Sequence, residues 1–127
     1  LQQQTSILFF RPVKGIITTT FNQNQGRYGV DIATSADGAV SAAYKGLVFN
    51  VGYDYHTGYY IEIVHPSGYL TIYRGLGIVF PKCGENVETG QVIGTVFKNK
   101  AGTKPQIHFE LWSDAYPQDP QNYIGFE

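Results

Sequence analysis

Tyr59-Tyr60-Ile61-Glu62-Ile63-Val64-His65-Pro66-Ser67-Gly68-Tyr69-Leu70-Thr71-Ile72-Tyr73 is the stretch on which the reading of the fold turns. Two runs rich in β-branched and aromatic residues flank a four-residue connection with proline early and glycine last, the chemistry of a tight β-turn. This predicts an antiparallel hairpin. Upstream, Ile7–Phe10 and Ile16–Phe21 are strand-like runs split by Arg11-Pro12-Val13-Lys14-Gly15. Tyr28–Ala33, Val40–Ala43 and Leu47–Tyr53 follow, with turns at 35–38 and at Lys45-Gly46. Downstream come the glycine-spaced segment Gly84–Gly94, a strand through Thr95-Val96-Phe97, a polar loop over Lys98–Lys104 and a last strand, Ile107–Trp112. Strand signals every ~8–12 residues, with almost no 3.6-residue periodicity, predict an all-β sandwich or barrel. Residues 1–6 read as a polar, frayed end and residues 113–127 as Pro- and Asp-rich wrapping chain.

Composition narrows the classes. At 127 residues the chain fits one domain, and 43% hydrophobic content is enough for a core without staples. Nine Lys plus Arg against ten Asp plus Glu leave a net charge of -1, which argues against a basic nucleic-acid surface. No apolar run approaches the ~18–20 residues of a membrane span, and no signal peptide is visible. Cys83 is the one cysteine, so neither a disulfide framework nor a Cys-rich zinc site is available. The chain opens at Leu1 and contains no Met, from which it is expected to be a piece of a longer precursor.

Several segments in order carry a family resemblance. They are Arg11-Pro12-Val13 with Gly15, Gly29-Val30-Asp31-Ile32-Ala33, Val40-Ser41-Ala42-Ala43 with Gly46-Leu47-Val48, and the hairpin quoted above. Gly84, Val87, Gly90-Gln91, Ile93-Gly94 and Ile107-His108-Phe109-Glu110 complete the set. Together they resemble the LytM or lysostaphin-like domain of the M23 peptidase family, from about Arg11 to Tyr123. The resemblance implies an antiparallel β-sandwich, a duplicated hybrid motif, with a groove across one sheet. It divides the chain into residues 1–10, an extension or edge strand, and the domain itself over 11–127. In active members the groove holds one zinc on three protein ligands and cleaves peptidoglycan crosslinks, while two further histidines serve the attacking water and the oxyanion.

This chain departs from the pattern at the residues that do the chemistry. The first ligand position falls on Arg27, whose guanidinium stays protonated and has no lone pair to give. Asp31 and His108 keep two ligand positions. The accessory histidines fall on Gly75 and Gln106. Zinc is therefore not expected, and neither is any other cofactor. Arg27 and Asp31 are instead expected to approach as an ion pair, with His108 beside them and Gln106 hydrogen-bonded into the cluster. His65, in the hairpin turn, reads as structural. His56, in the loop of Tyr53-Asp54-Tyr55-His56-Thr57-Gly58, could supply a substitute ligand, but a solvated loop histidine is the commoner case. Cys83 has no adjacent activating base and reads as an ordinary thiol.

The glycine-spaced segment also occurs in biotinyl or lipoyl carriers and in a sugar-phosphotransferase domain. The carrier's Met-flanked lysine and the transferase's paired histidines are both missing. Three functions then follow from the resemblance. The first is a non-catalytic domain that binds and regulates, by activation, a peptidoglycan hydrolase such as an amidase, or another envelope protein. The second is a peptidoglycan-binding module, and the third a zinc endopeptidase rearranged around Asp31, His108 and His56. The first is favoured, because loss of a general base alone removes ~10²–10⁴ in rate. Arg27, Tyr55, His56, Arg74 and Gln106 are its candidate groove contacts. A periplasmic or extracellular location comes from the family's substrate, with no nucleic acid and no membrane span in this segment.

Overall fold

The computed structural model describes residues 7–98 and 104–126. Ten strands follow in chain order: β1 (Ile16–Thr19), β2 (Val30–Ala33), β3 (Ala39–Ser41), β4 (Gly46–Asp54), β5 (Gly58–Val64), β6 (Tyr69–Val79), β7 (Asn86–Val87), β8 (Val92–Val96), β9 (Gln106–Ser113) and β10 (Tyr116–Gln118). No α-helix forms among the described residues, only three short 3-10 turns. No helix there is long and apolar enough to cross a membrane.

Every strand pair is antiparallel, and the main sheet runs β1-β2-β9-β6-β5-β4-β7. Eleven residues make β6 long enough to serve two layers. Its first part, Tyr69–Arg74, pairs with β9, and its end, Leu76–Val79, pairs with β8, which carries β3. Alternation then sorts the side chains. In β9, Ile107, Phe109 and Leu111 are buried while Gln106, His108 and Glu110 face the other way; in β2, Val30 and Ile32 are buried and Asp31 faces out. The inner residues meet Val40, Ala42, Ala43, Val87, Ile93 and Val96 in one core.

The hairpin at 65–68 forms as its sequence predicts, with Ser67 and Gly68 at positive φ. Three expectations are corrected. Ile7–Phe10 adopts no strand; Phe10 donates one bond to the Ala43 carbonyl, and Phe9 inserts its ring edge-on among Tyr44, Tyr69 and Tyr123. Aromatic insertion replaced ladder pairing there. The wrapping chain contains a strand, β10, tolerating Pro117 because only β9 pairs with it. The hairpin's return strand continues past Tyr73 through two glycines to Val79. Residues 1–6 and most of the expected 98–104 loop lie outside the described residues.

Candidate functional site

The register of three strands builds the groove floor. Asp31 in β2 lies opposite His108 in β9, which lies opposite Arg74 in β6. Cross-strand neighbours on one face stand ~4.5–5.5 Å apart at Cβ, so Asp31 and His108 meet by backbone placement alone. His108 Nδ1 lies 2.7 Å from Asp31 Oδ1, and Nε2 lies 2.8 Å from Glu110 Oε2. Carboxylate oxygens only accept, so both ring nitrogens donate and the ring is an imidazolium. Burial pulls its pKa down, but the two carboxylates outweigh burial and raise it to about 9. The hydrogen bond from His108 holds Asp31 below its ordinary value against burial. Burial likewise works against Glu110 ionisation, yet His108, Trp112 Nε1 at 2.8 Å and the nearby Arg74 charge keep that carboxyl low.

Arg27 is not part of this cluster. It sits at the base of a tight loop closed by the Asn22–Arg27 bridge and by Gly26 at φ 75, is exposed, and donates from Nε to the Thr20 carbonyl at 3.3 Å. The expected Arg27–Asp31 ion pair does not form. His108, fixed directly across the ladder, takes the carboxylate that a loop arginine had to reach for. Gln106 is also corrected: it lines the groove, exposed and outside the hydrogen-bonded cluster, and Glu110 fills the expected role. Glu110 and Trp112 were missed, although a His-x-Glu-x-Trp spacing in a strand puts all three on one face.

The groove encloses about 620 Å³. Asp31, Arg74, Gln106 and His108 line it, with Tyr55, His56 and Thr57 of the β4–β5 hairpin tip and Phe97-Lys98 after β8. Gly75 lies there too, at φ 103, and a Cβ on it would stand 2.7 Å from the Gln106 carbonyl. It falls where the β5–β6 register shifts, between Arg74 and Leu76, so the backbone has taken a bulge conformation suited to glycine. His65 is buried, bonded through both ring nitrogens to the Lys45 carbonyl and Thr71 Oγ1, each at 2.7 Å. Cys83 is exposed, with its thiol 3.1 Å from the Phe49 carbonyl.

The donor set is a poor match to zinc chemistry. A metal ligand must present a bare lone pair, whereas both His108 nitrogens are committed to carboxylates and Arg27, at the first ligand position, turns away and has no lone pair to give. Among the described residues no group of three or more His, Cys, Asp or Glu is arranged to hold a metal ion.

An antiparallel β-sandwich with a polar groove set by β2, β6 and β9 defines the class. The chain belongs to peptidase family M23, whose model matches residues 25–120. Stage II sporulation protein Q of Bacillus subtilis is 33% identical over 100 residues, 76% of this chain and 35% of that protein. Peptidoglycan DD-endopeptidase ShyC of Vibrio cholerae is 30% identical over 99 residues, 78% of this chain and 23% of that protein. A chain in the crystal structure of the SpoIIIAH and SpoIIQ complex superposes with a TM-score of 0.78 at 25% identity, over 91% of this chain and 99% of that one. The chain thus spans about a third or less of these curated relatives.

Proposed function

We propose that this is a non-catalytic M23 domain of the bacterial cell envelope that binds a protein partner in its groove and activates a peptidoglycan hydrolase, an amidase in the simplest case. One observation carries the reading: His108 is locked between Asp31 and Glu110, with Arg27 turned away at the first ligand position. Restoring a zinc site means breaking two charge-assisted hydrogen bonds and replacing a cation, so the domain works without zinc or another cofactor. Gly75 and Gln106 stand where the family resemblance puts accessory histidines, and neither side chain can serve as a general base. The similarity to stage II sporulation protein Q, whose complex with SpoIIIAH is known as a structure, supports an envelope protein as partner. A periplasmic or extracellular site of action belongs to the same proposal.

A second reading, a peptidoglycan-binding module, draws on the similarity to ShyC and on the mixed polar and aromatic lining at Tyr55, His56 and Gln106.

Purified domain is expected to carry no stoichiometric zinc by elemental analysis and to leave peptidoglycan and oligoglycine uncut when zinc is supplied. It is expected to raise dye release from labelled peptidoglycan by an envelope amidase of the same bacterium. Zinc-dependent turnover abolished by Asp31→Ala overturns the non-catalytic reading. Tight binding to peptidoglycan without stimulation of amidases favours the second.

A further inference from the structure

Five strands each give one residue to a row across the groove face. Asp31, His108, Arg74, Tyr60 and Gly52 are successive register partners on β2, β9, β6, β5 and β4. The row has a chemical order. Asp31 and His108 hold each other, and Arg74 turns the other way, its guanidinium carbon 4.8 Å from the centre of the Tyr60 ring. Tyr60 in turn lies over Gly52, where a Cβ would stand 2.2 Å from the phenol. Glycine at 52 leaves room for the ring, and the ring braces the arginine.

Arg74 is thereby held part-buried on the groove lining. Its anionic neighbours in the next row, Glu62 and Glu110, flank Ile72, and neither forms an ion pair with it among the described residues. Glu110 is already bonded to His108 and Trp112. A guanidinium held over a ring by a cation–π contact still carries a planar fork of donors suited to a carboxylate. Lys98 adds a second cation to the lining, Asp31 is the lining anion and is matched by His108, and Tyr55 and Phe97 supply apolar surface.

We infer that Arg74, braced by Tyr60 over Gly52, is the receptor for a carboxylate side chain of an extended acidic protein segment lying in the groove. This rests on the groove reading above and adds the chemistry of the partner. The charge complementarity is local: the chain as a whole carries -1, while the groove offers Arg74 and Lys98 beside two carboxylates, Asp31 and Glu110, that His108 already bridges.

The test uses a short fluorescein-labelled, C-terminally amidated peptide of Glu, Tyr and Gly, with Gln-for-Glu and Lys-for-Glu counterparts and a soluble peptidoglycan stem peptide, read by anisotropy. The acidic peptide is expected to bind about tenfold or more tighter than the Gln version, and less tightly as salt rises. Arg74→Lys keeps the charge but loses the fork and should weaken binding about tenfold. Lys98→Glu should weaken it without touching the row, and Lys14→Glu, outside the groove, should not. Equal binding of the Gln or Lys peptide, or full affinity in Arg74→Lys, overturns the inference, as does preference for the stem peptide. Amidase stimulation that survives Arg74→Lys overturns this inference alone; wild-type domain that binds the acidic peptide but stimulates no amidase overturns the activator reading alone.

Discussion

His65 and His108 both commit two ring nitrogens to hydrogen bonds, yet they are built as opposites. His65 lies inside the sandwich, where Nδ1 can only donate to the Lys45 carbonyl. Its Nε2 then accepts from Thr71, Thr71 accepts from Tyr73, and the Tyr73 oxygen accepts from the Ala43 N–H at 2.9 Å. One direction of donation runs through the whole relay. It ties together β6, the 43–45 segment after β3 and the hairpin turn, and it requires neutral imidazole. Burial lowers the His65 pKa against the pull of the Lys45 carbonyl, and burial raises Tyr73 to about 12. His108 lies on the groove floor of the same sheet between two carboxylates and requires imidazolium. A histidine is made structural or electrostatic by what its two nitrogens face.

Breaking the relay should have the largest effect. Thr71→Val keeps the shape but strands the His65 acceptor and the Tyr73 donor in a buried site, at a cost of about 2–3 kcal/mol. Urea unfolding checks this, and a loss no larger than that of a surface substitution would show that the relay is ornamental. The groove cluster is part-exposed and should matter less. His108→Gln leaves Asp31 and Glu110 without their shared cation, at a cost of about 1–2 kcal/mol near pH 7. That cost should shrink at pH 4 as the carboxylates take up protons; a pH-independent cost would mean lost packing and not lost charge.

The contrast also explains what could be read from the amino acids alone. The hairpin and the inner faces of β2 and β9 follow from period-two patterning, which the core enforces. Past Tyr73 the pattern fails, because Gly75 and Gly77 look like a stop. Gly75 is instead a bulge that lets β6 bend into the second layer, a choice made by tertiary pairing with β8. The Asp31–His108 pair was placed by family spacing, and its tightness by ladder register. Arg27 could not be placed, because its direction depends on Gly26 and the loop bridge rather than on any strand. Glu110 is legible in the sequence: the pattern predicts a strand over 107–112, and alternation alone puts Glu110 beside His108.

The two histidines should also separate by pH. Below its ordinary value of 6.5, an unfolded His65 takes a proton that the folded protein refuses, so stability falls as pH drops through and below that value. His108 behaves in reverse. Its contribution is complete below 6.5 and is lost as pH rises toward about 9, where the folded ring finally gives up its proton. The His108 arm is worth about 1 kcal/mol after allowance for solvent at the groove. Unfolding curves across pH should show His65→Gln flattening the acid arm and His108→Gln the alkaline one. An acid arm that persists in His65→Gln would assign it to another group.

The smallest effect should come from the residue that family spacing places in the metal site. Arg27→Gln removes a guanidinium whose one hydrogen bond, to the Thr20 carbonyl at 3.3 Å, is exposed and long. Exposed polar contacts of this kind contribute little, so thermal unfolding should move by no more than about 0.5 kcal/mol. The His108 alkaline arm should stay where it is, because Asp31 and Glu110, not Arg27, set that proton. This separates the groove floor from its rim more sharply than removal of His108 does. If Arg27→Gln instead cost as much as His108→Gln, Arg27 would have to reach Asp31 in solution and share its charge. A His108 titration displaced upward by Arg27→Gln would say the same, since deleting a nearby cation favours the protonated ring. A small effect on both readings fixes the floor as a closed Asp–His–Glu unit, complete without the arginine.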